Sequence, residues 1–214
     1  MPTVLAFDRC CTDCPRLARQ LVRVRRDHPD YYARPVPPFG AARSRLLIVG
    51  LAPGMHGANR TGRPFTGDHA GILLYKTLHR FGLASRAESV SARDGLRLHD
   101  CRITNAVKCL PPQNKPTPAE IRTCNRYLTV ELARLKPGSV ILALGRVAHE
   151  AVLMALGQRR SAFSFAHGAS HQLPGDVRLV DSYHCSRYNT QTRRLTPAMF
   201  ERVVKQAQKS LRSR

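Results

Sequence analysis

The chain has 214 residues, of which 43% are hydrophobic and 23% charged, a size and balance that suit one domain with a full core rather than two. No apolar run approaches the length of a membrane helix, and the first 14 residues lack the basic and long apolar regions of a secretory signal, so a cytoplasmic protein with no membrane partner is expected. Lys and Arg number 35 against 14 Asp and Glu, a formal charge of +21. Such an excess points to a polyanion, nucleic acid first, although a solubility charge or Arg-rich coding would leave the same count.

Residues 1–45 open on a cysteine-rich turn. A basic amphipathic segment follows over 15–26, with Leu17, Leu21 and Val24 available for burial. The Pro-rich stretch 32–40 predicts loop or polyproline backbone. Residues 46–51 are apolar without alternation and predict a buried strand. A long polar loop leads to Gly67, and a helix is expected over 71–81. A second strand is predicted over 101–107, then a loop over 111–118. Thr117-Pro-Ala-Glu120 combines a cap, a first-turn proline and a third-position acid, so a helix should run from there to about 135, stopped by Lys136-Pro-Gly. Strands over 139–144 and 177–183 and helices over 146–156 and 196–211 complete the pattern.

Strands alternating with helices imply an α/β fold: a central four-stranded parallel sheet flanked by helices on both faces. Active sites of such sheets gather at the carboxyl ends of the strands. Four loops should therefore converge, at 52–69, 105–116, 145–146 and 184–196. Strand order cannot be read from this pattern.

Seven cysteines stand at 10, 11, 14, 101, 109, 124 and 185. An odd number without a secretion signal favours metal or cluster ligation over disulfides. Cys11 and Cys14 have a two-residue spacing, and four thiolates would hold zinc or an iron–sulfur cluster equally well. The loop 50–68 is rich in Gly, Asn, Arg, Thr and Asp, and glycine permits close backbone approach to a ligand; it has neither a Walker ending nor dinucleotide spacing. Taken alone, His184 reads as a surface histidine or a site residue. Asn105 reads as a turn residue or a base-edge reader.

Together the loops are specific. Gly-Leu-Ala-Pro-Gly at 50–54, Arg-Thr-Gly-Arg-Pro-Phe-Thr-Gly-Asp at 60–68, Asn-Lys-Pro-Thr-Pro at 114–118 and Ser-Tyr-His-Cys-Ser-Arg-Tyr-Asn-Thr-Gln-Thr at 182–192 occur in that order, after Cys-Thr-Asp-Cys-Pro-Arg-Leu at 11–17. Over nearly the whole chain this closely resembles family 5, the iron–sulfur branch of the uracil-DNA glycosylase superfamily.

The resemblance implies a single three-layer domain over 1–214, with 1–45 as its cluster-binding and extended segment. It implies a DNA-repair enzyme that hydrolyses the glycosidic bond of flipped-out uracil, and of hypoxanthine and xanthine, and works as a monomer. It implies a structural [4Fe–4S] cluster on Cys11, Cys14, Cys109 and Cys124, with no catalytic metal. Where other families carry a polar group in the first loop, this chain has Leu51 and Ala52, so the water-positioning role falls to Asp68, a position that also suits a helix cap. His184 matches the histidine that meets charge on the departing base, and Asn114 matches a family 5 active-site Asn. Phe65 matches the aromatic under the base; its alternative is a core residue. Asn105 stands where families 2 and 4 carry a base-reading Asn. Ala52, Gly54 and His56 are expected around the base. Ser186, Arg187, Tyr188 and Asn189, with Arg60 and Arg63, are expected on the DNA. Cys185 departs from the family loop. The competing readings are a uracil-specific family 4-like glycosylase, against which Leu51 argues, and a non-catalytic iron–sulfur nucleic-acid-binding module.

Overall fold

A computed structural model describes residues 7–212. The ends of the 1–214 span, including the first six residues of the N-terminal segment, lie outside the described residues. The elements run α1 (Pro15–Asp27), β1 (Phe39–Gly40), β2 (Leu46–Gly50), α2 (Ala58–Thr61), α3 (His69–Arg80), β3 (Cys101–Asn105), α4 (Pro118–Leu132), β4 (Val140–Leu144), α5 (Arg146–Ala155), β5 (Ser170–Leu173), β6 (Val177–Ser182), α6 (Arg187–Gln191) and α7 (Pro197–Arg212). No helix among the described residues is long and apolar enough to cross a membrane.

The sheet has six strands in the order β1-β3-β2-β4-β6-β5. Its four central strands are the four expected ones, and they pair in parallel. The count of four needs correction at both edges, where β1 and β5 add antiparallel strands. β1 pairs within the Pro-rich stretch, which is therefore not all loop. β2 lies between β3 and β4, so the chain moves from β2 to β3 on one side and then crosses back over β2 to β4 on the other. That reversal opens the crevice where α/β sheets place ligands.

Alternate residues of each parallel strand feed two cores. Ile48, Ile103, Leu142 and Val180 face α3 and α7; Leu47, Val49, Ile141 and Leu179 face α4 and α5. A third cluster docks α1, through Leu17, Leu21 and Val24, on Val107, Leu110 and Tyr127. The Thr117 hydroxyl and Glu120 carboxylate form the expected capping box at the start of α4, and Arg16 bonds the same carboxylate at 2.7 Å, tying α1 to α4.

Candidate active site and cysteine pocket

The carboxyl ends of β2, β3 and β6 surround a cavity of about 420 Å³, a volume suited to a small ligand. Its walls include Ala52 and Gly54 after β2, Phe65 and Asp68 before α3, and Asn105 at the end of β3. Asn114, His184, Ser186 and Arg187 complete them. Loops distant in sequence thus meet because parallel strands all end on one side.

Asp68 is the N-cap of α3: Oδ1 accepts from the Gly71 N–H at 2.9 Å. Both roles that the sequence suggested are therefore open to one carboxylate, since Oδ2 turns to the cavity-side loop. A Cβ at Gly57 would stand 2.4 Å from Oδ2, so only glycine leaves the carboxylate its place. Burial raises the Asp68 pKa, with the Gly71 and Ala70 N–H groups opposing.

His184 lies across from it, its ring centroid 5.9 Å from that of Phe65. The residue is only half-buried by exposed area, yet the ring is packed closely enough that burial pushes its pKa down to about 4. It is a neutral imidazole at physiological pH. No protein group among the described residues hydrogen-bonds its ring, and the Asn189 amide holds its backbone carbonyl at 2.9 Å.

Phe65 is both a core residue, 5% exposed, and a cavity wall. Its backbone is left-handed, φ 55°, an uncommon state for an aromatic. Asn105 faces the same space. Its Oδ1 is buried without a protein partner, and a Cβ at Gly50 would stand 2.5 Å from that oxygen and 2.6 Å from the Phe65 ring. Glycine at 50 thus keeps the cavity floor open. Asn114 is exposed at the rim with φ 57°, a conformation Asn tolerates.

Several expected site residues fall elsewhere. Arg63 is not on the DNA side: it is buried, pairs with Asp94 at 2.7 Å and lies over the Phe39 ring. A guanidinium so enclosed cannot reach a phosphate. Burial works against Asp94's charge, but Arg63 and backbone N–H groups hold its carboxyl at about 2. His56 is exposed outside the cavity lining, bonded to the Tyr31 hydroxyl at 2.8 Å. Residues 186–189 do not form an open loop: Ser186 caps the short helix α6 through the Asn189 N–H, so Asn189 is turned inward. Arg187 and Tyr188 are exposed, Tyr188 by 70%. Arg60 is exposed and shares a second groove with Arg187, beside Asp68.

Cys11, Cys14, Cys109 and Cys124 line one enclosed pocket between α1 and α4; Cys101 and Cys185 are buried in the α3–α7 core. A single tetrahedral zinc with bonds of about 2.3 Å would draw its sulfurs to about 3.8 Å of one another. Among the described residues the one trio of ligating groups gathered within 4.8 Å is His149, His171 and Asp181, with none of these cysteines. The four thiols are thus grouped in one pocket, and no three of them come within 4.8 Å of one another. Burial pushes Cys14 up to about 11 and also raises Cys109 and Cys124, so bound metal would have to displace their protons. The Lys108 N–H donates to Cys124 Sγ at 3.3 Å and Arg126 to Cys11 Sγ at 3.6 Å.

Lys108 itself escaped the sequence reading. It is 1% exposed, and its ammonium donates to the Asn105 carbonyl at 2.7 Å and to the Thr104 hydroxyl. Nothing in the sequence separates it from the 34 other basic residues, which its burial alone does.

Residues 37–208 match the model of the uracil DNA glycosylase superfamily. The type-5 uracil-DNA glycosylase of Thermus thermophilus is 52% identical over 205 residues, 93% of either chain. That of Pyrobaculum aerophilum is 43% identical, covering 92% of this chain and 87% of its own. The type-4 enzyme of the same archaeon is 35% identical over 72% of each chain.

Proposed function

Because this chain belongs to the uracil-DNA glycosylase superfamily, we propose that it is a DNA-repair hydrolase that excises uracil, and also hypoxanthine and xanthine, leaving an abasic site. The observation that carries this reading is the meeting of Asp68 and His184 across one cavity floored by Phe65 and Asn105. The higher identity and coverage of the type-5 relatives favour that branch over type 4.

The duplex is held by the basic surface, with Arg187 at the cavity wall, Arg60 in the groove that shares Arg187 and Tyr188 exposed beside it, and the damaged nucleotide is flipped out at a cost of about a few kcal/mol. The base stacks on Phe65, and the unpaired Asn105 amide bonds its polar edge. As the glycosidic bond breaks, the electron pair leaves with the base, and neutral His184 donates an N–H to that negative charge. The Asp68 carboxylate faces the cationic sugar and orients a water. The water oxygen bonds to the anomeric carbon, and its proton passes to Asp68. Asn114 at the rim fits a role in steadying this water. No lysine lines the cavity, so the strand is left uncut.

Four cysteines in one pocket suit a [4Fe–4S] cluster, the group that the likeness to the type-5 enzymes favours over zinc. Cys11, Cys14, Cys109 and Cys124 would hold it, and its contribution is structural. The whole chain is then one domain, with 1–45 tied down by the cluster, acting as a monomer in the cytoplasm near DNA.

Labelled duplexes carrying U, hypoxanthine or xanthine, treated with alkali after incubation, test the reaction. Cleavage at U and at the two purine lesions is expected. No break at any lesion would refute the glycosylase, and a break at U alone would move it to the type-4 pattern. Iron content and absorption at about 400 nm test the cluster; one zinc per chain and no colour would refute it.

A further inference from the structure

We infer that Lys108 is a positioning residue for base recognition: its ammonium clamps the backbone carbonyl of Asn105 and so aims the amide that meets the base. The inference rests on the glycosylase reading above. A buried ammonium is costly unless fully hydrogen-bonded. Here it bonds the last two residues of β3, through the Asn105 carbonyl at 2.7 Å and the Thr104 hydroxyl. The Asn105 side chain has no hydrogen bond to protein among the described residues, and its Oδ1 is buried. An amide with no side-chain anchor is aimed by its backbone alone, and that backbone is held by Gly50 across the sheet and by Lys108 from below.

Lys108 is fixed from the other side too. Its N–H bonds Cys124 Sγ at 3.3 Å, its carbonyl accepts from Val36 at 2.7 Å, and the residue is part of the wall of the cysteine pocket. One residue thereby joins the four-cysteine pocket to the floor of the cavity, and order in the pocket passes to Asn105 along it. A lysine with a purely packing role would touch one or the other.

The test is a double-mutant cycle on the full-length, cluster-loaded protein. Lys108→Met keeps the volume and removes the donor. Its kcat/KM on a U-containing duplex should fall by about tenfold or more, as small misplacements of contacting groups do. In an Asn105→Ala background the same change should cost less than about twofold, because its target is gone. Absorption at about 400 nm and the thermal midpoint of Lys108→Met should stay near wild type. Equal losses in both backgrounds would overturn the inference, and so would a fall in absorption that tracks the activity loss. Where Lys108→Met does not fold, Thr104→Val, which removes one of the ammonium's two acceptors, goes through the same cycle under the same criteria. Failure of the wild type itself to cleave U would strike the underlying function, a separate outcome.

Discussion

At Asp68 one carboxylate serves two ends: Oδ1 caps α3 while Oδ2 turns toward the cavity. Its raised pKa means that the ionised form is disfavoured in the fold. Such a group stabilises the protein below its unfolded pKa and ceases to do so as pH rises through the folded value. Asn caps as well as Asp, so Asp68→Asn should melt higher than wild type at pH 7. The gap should close as pH falls through the raised pKa, which melting curves at several pH values will check. The same variant should lose about 10²-fold or more in rate while still binding DNA. The acid limb of the wild-type pH–rate profile should lie above the usual carboxylate range and vanish in the variant. His184, neutral down to about 4, adds no limb near neutrality; His184→Ala should cost about 10²–10³ in single-turnover rate. Asp68, His184 and Phe65 were legible because loop motifs carry them. Arg63 was not: it lies within such a motif, but its partner Asp94 stands in an unrelated loop, and nothing local marks the pair.

Among the elements, β2 and β4 were legible because strands buried on both faces are written as unbroken apolar runs, whereas β3 and β6 carry Arg102, Thr104, Arg178 and Asp181 and were legible as short β-rich stretches between helices. The edge strands were not. Ser170–Leu173 is mostly polar, and Phe39–Gly40 is two residues long beside prolines. Both ends of α4 were marked by sequence, by its capping box and by Lys136-Pro-Gly. α5 and β6 are joined by a contact no pattern shows. His149, 1% exposed, donates to Asp181, 0% exposed, at 2.8 Å, and its other nitrogen meets the Phe163 carbonyl. Burial works against charge on the ring, but Asp181, the Phe163 carbonyl and Glu150 together outweigh it and raise the His149 pKa. The stability this pair gives is present below the unfolded pKa and lost as pH rises through the folded one. His149→Ala should cost about 2 kcal/mol by urea unfolding at pH 6, because it leaves the buried Asp181 carboxylate with His171, at 3.2 Å, as its one remaining imidazole partner, and less at pH 9.

For the whole molecule, the +21 charge indicated nucleic acid but no reaction; the reaction came from loops. Binding through that charge should depend steeply on salt. If six or more phosphates are neutralised, duplex affinity should fall about 10³-fold between 50 and 200 mM salt, while kcat at saturating DNA stays nearly constant. A slope close to zero in a fluorescence titration would mean that the basic surface is not the DNA face.

Cys11 and Cys109 stand about a hundred positions apart, and any group bonded to both closes that stretch into a ring worth about 4–5 kcal/mol of unfolded-chain entropy. The ring contains α1 to α3 and β1 to β3, and with them Gly50, Phe65, Asp68 and Asn105. His184 lies outside it. Opening the tether should therefore loosen one wall of the cavity before the other. In a cluster-stripped protein, amide exchange should rise first across residues 11–109, while β4, β6 and α7 keep their protection. Asp68 would lose its footing while His184 still stood in place.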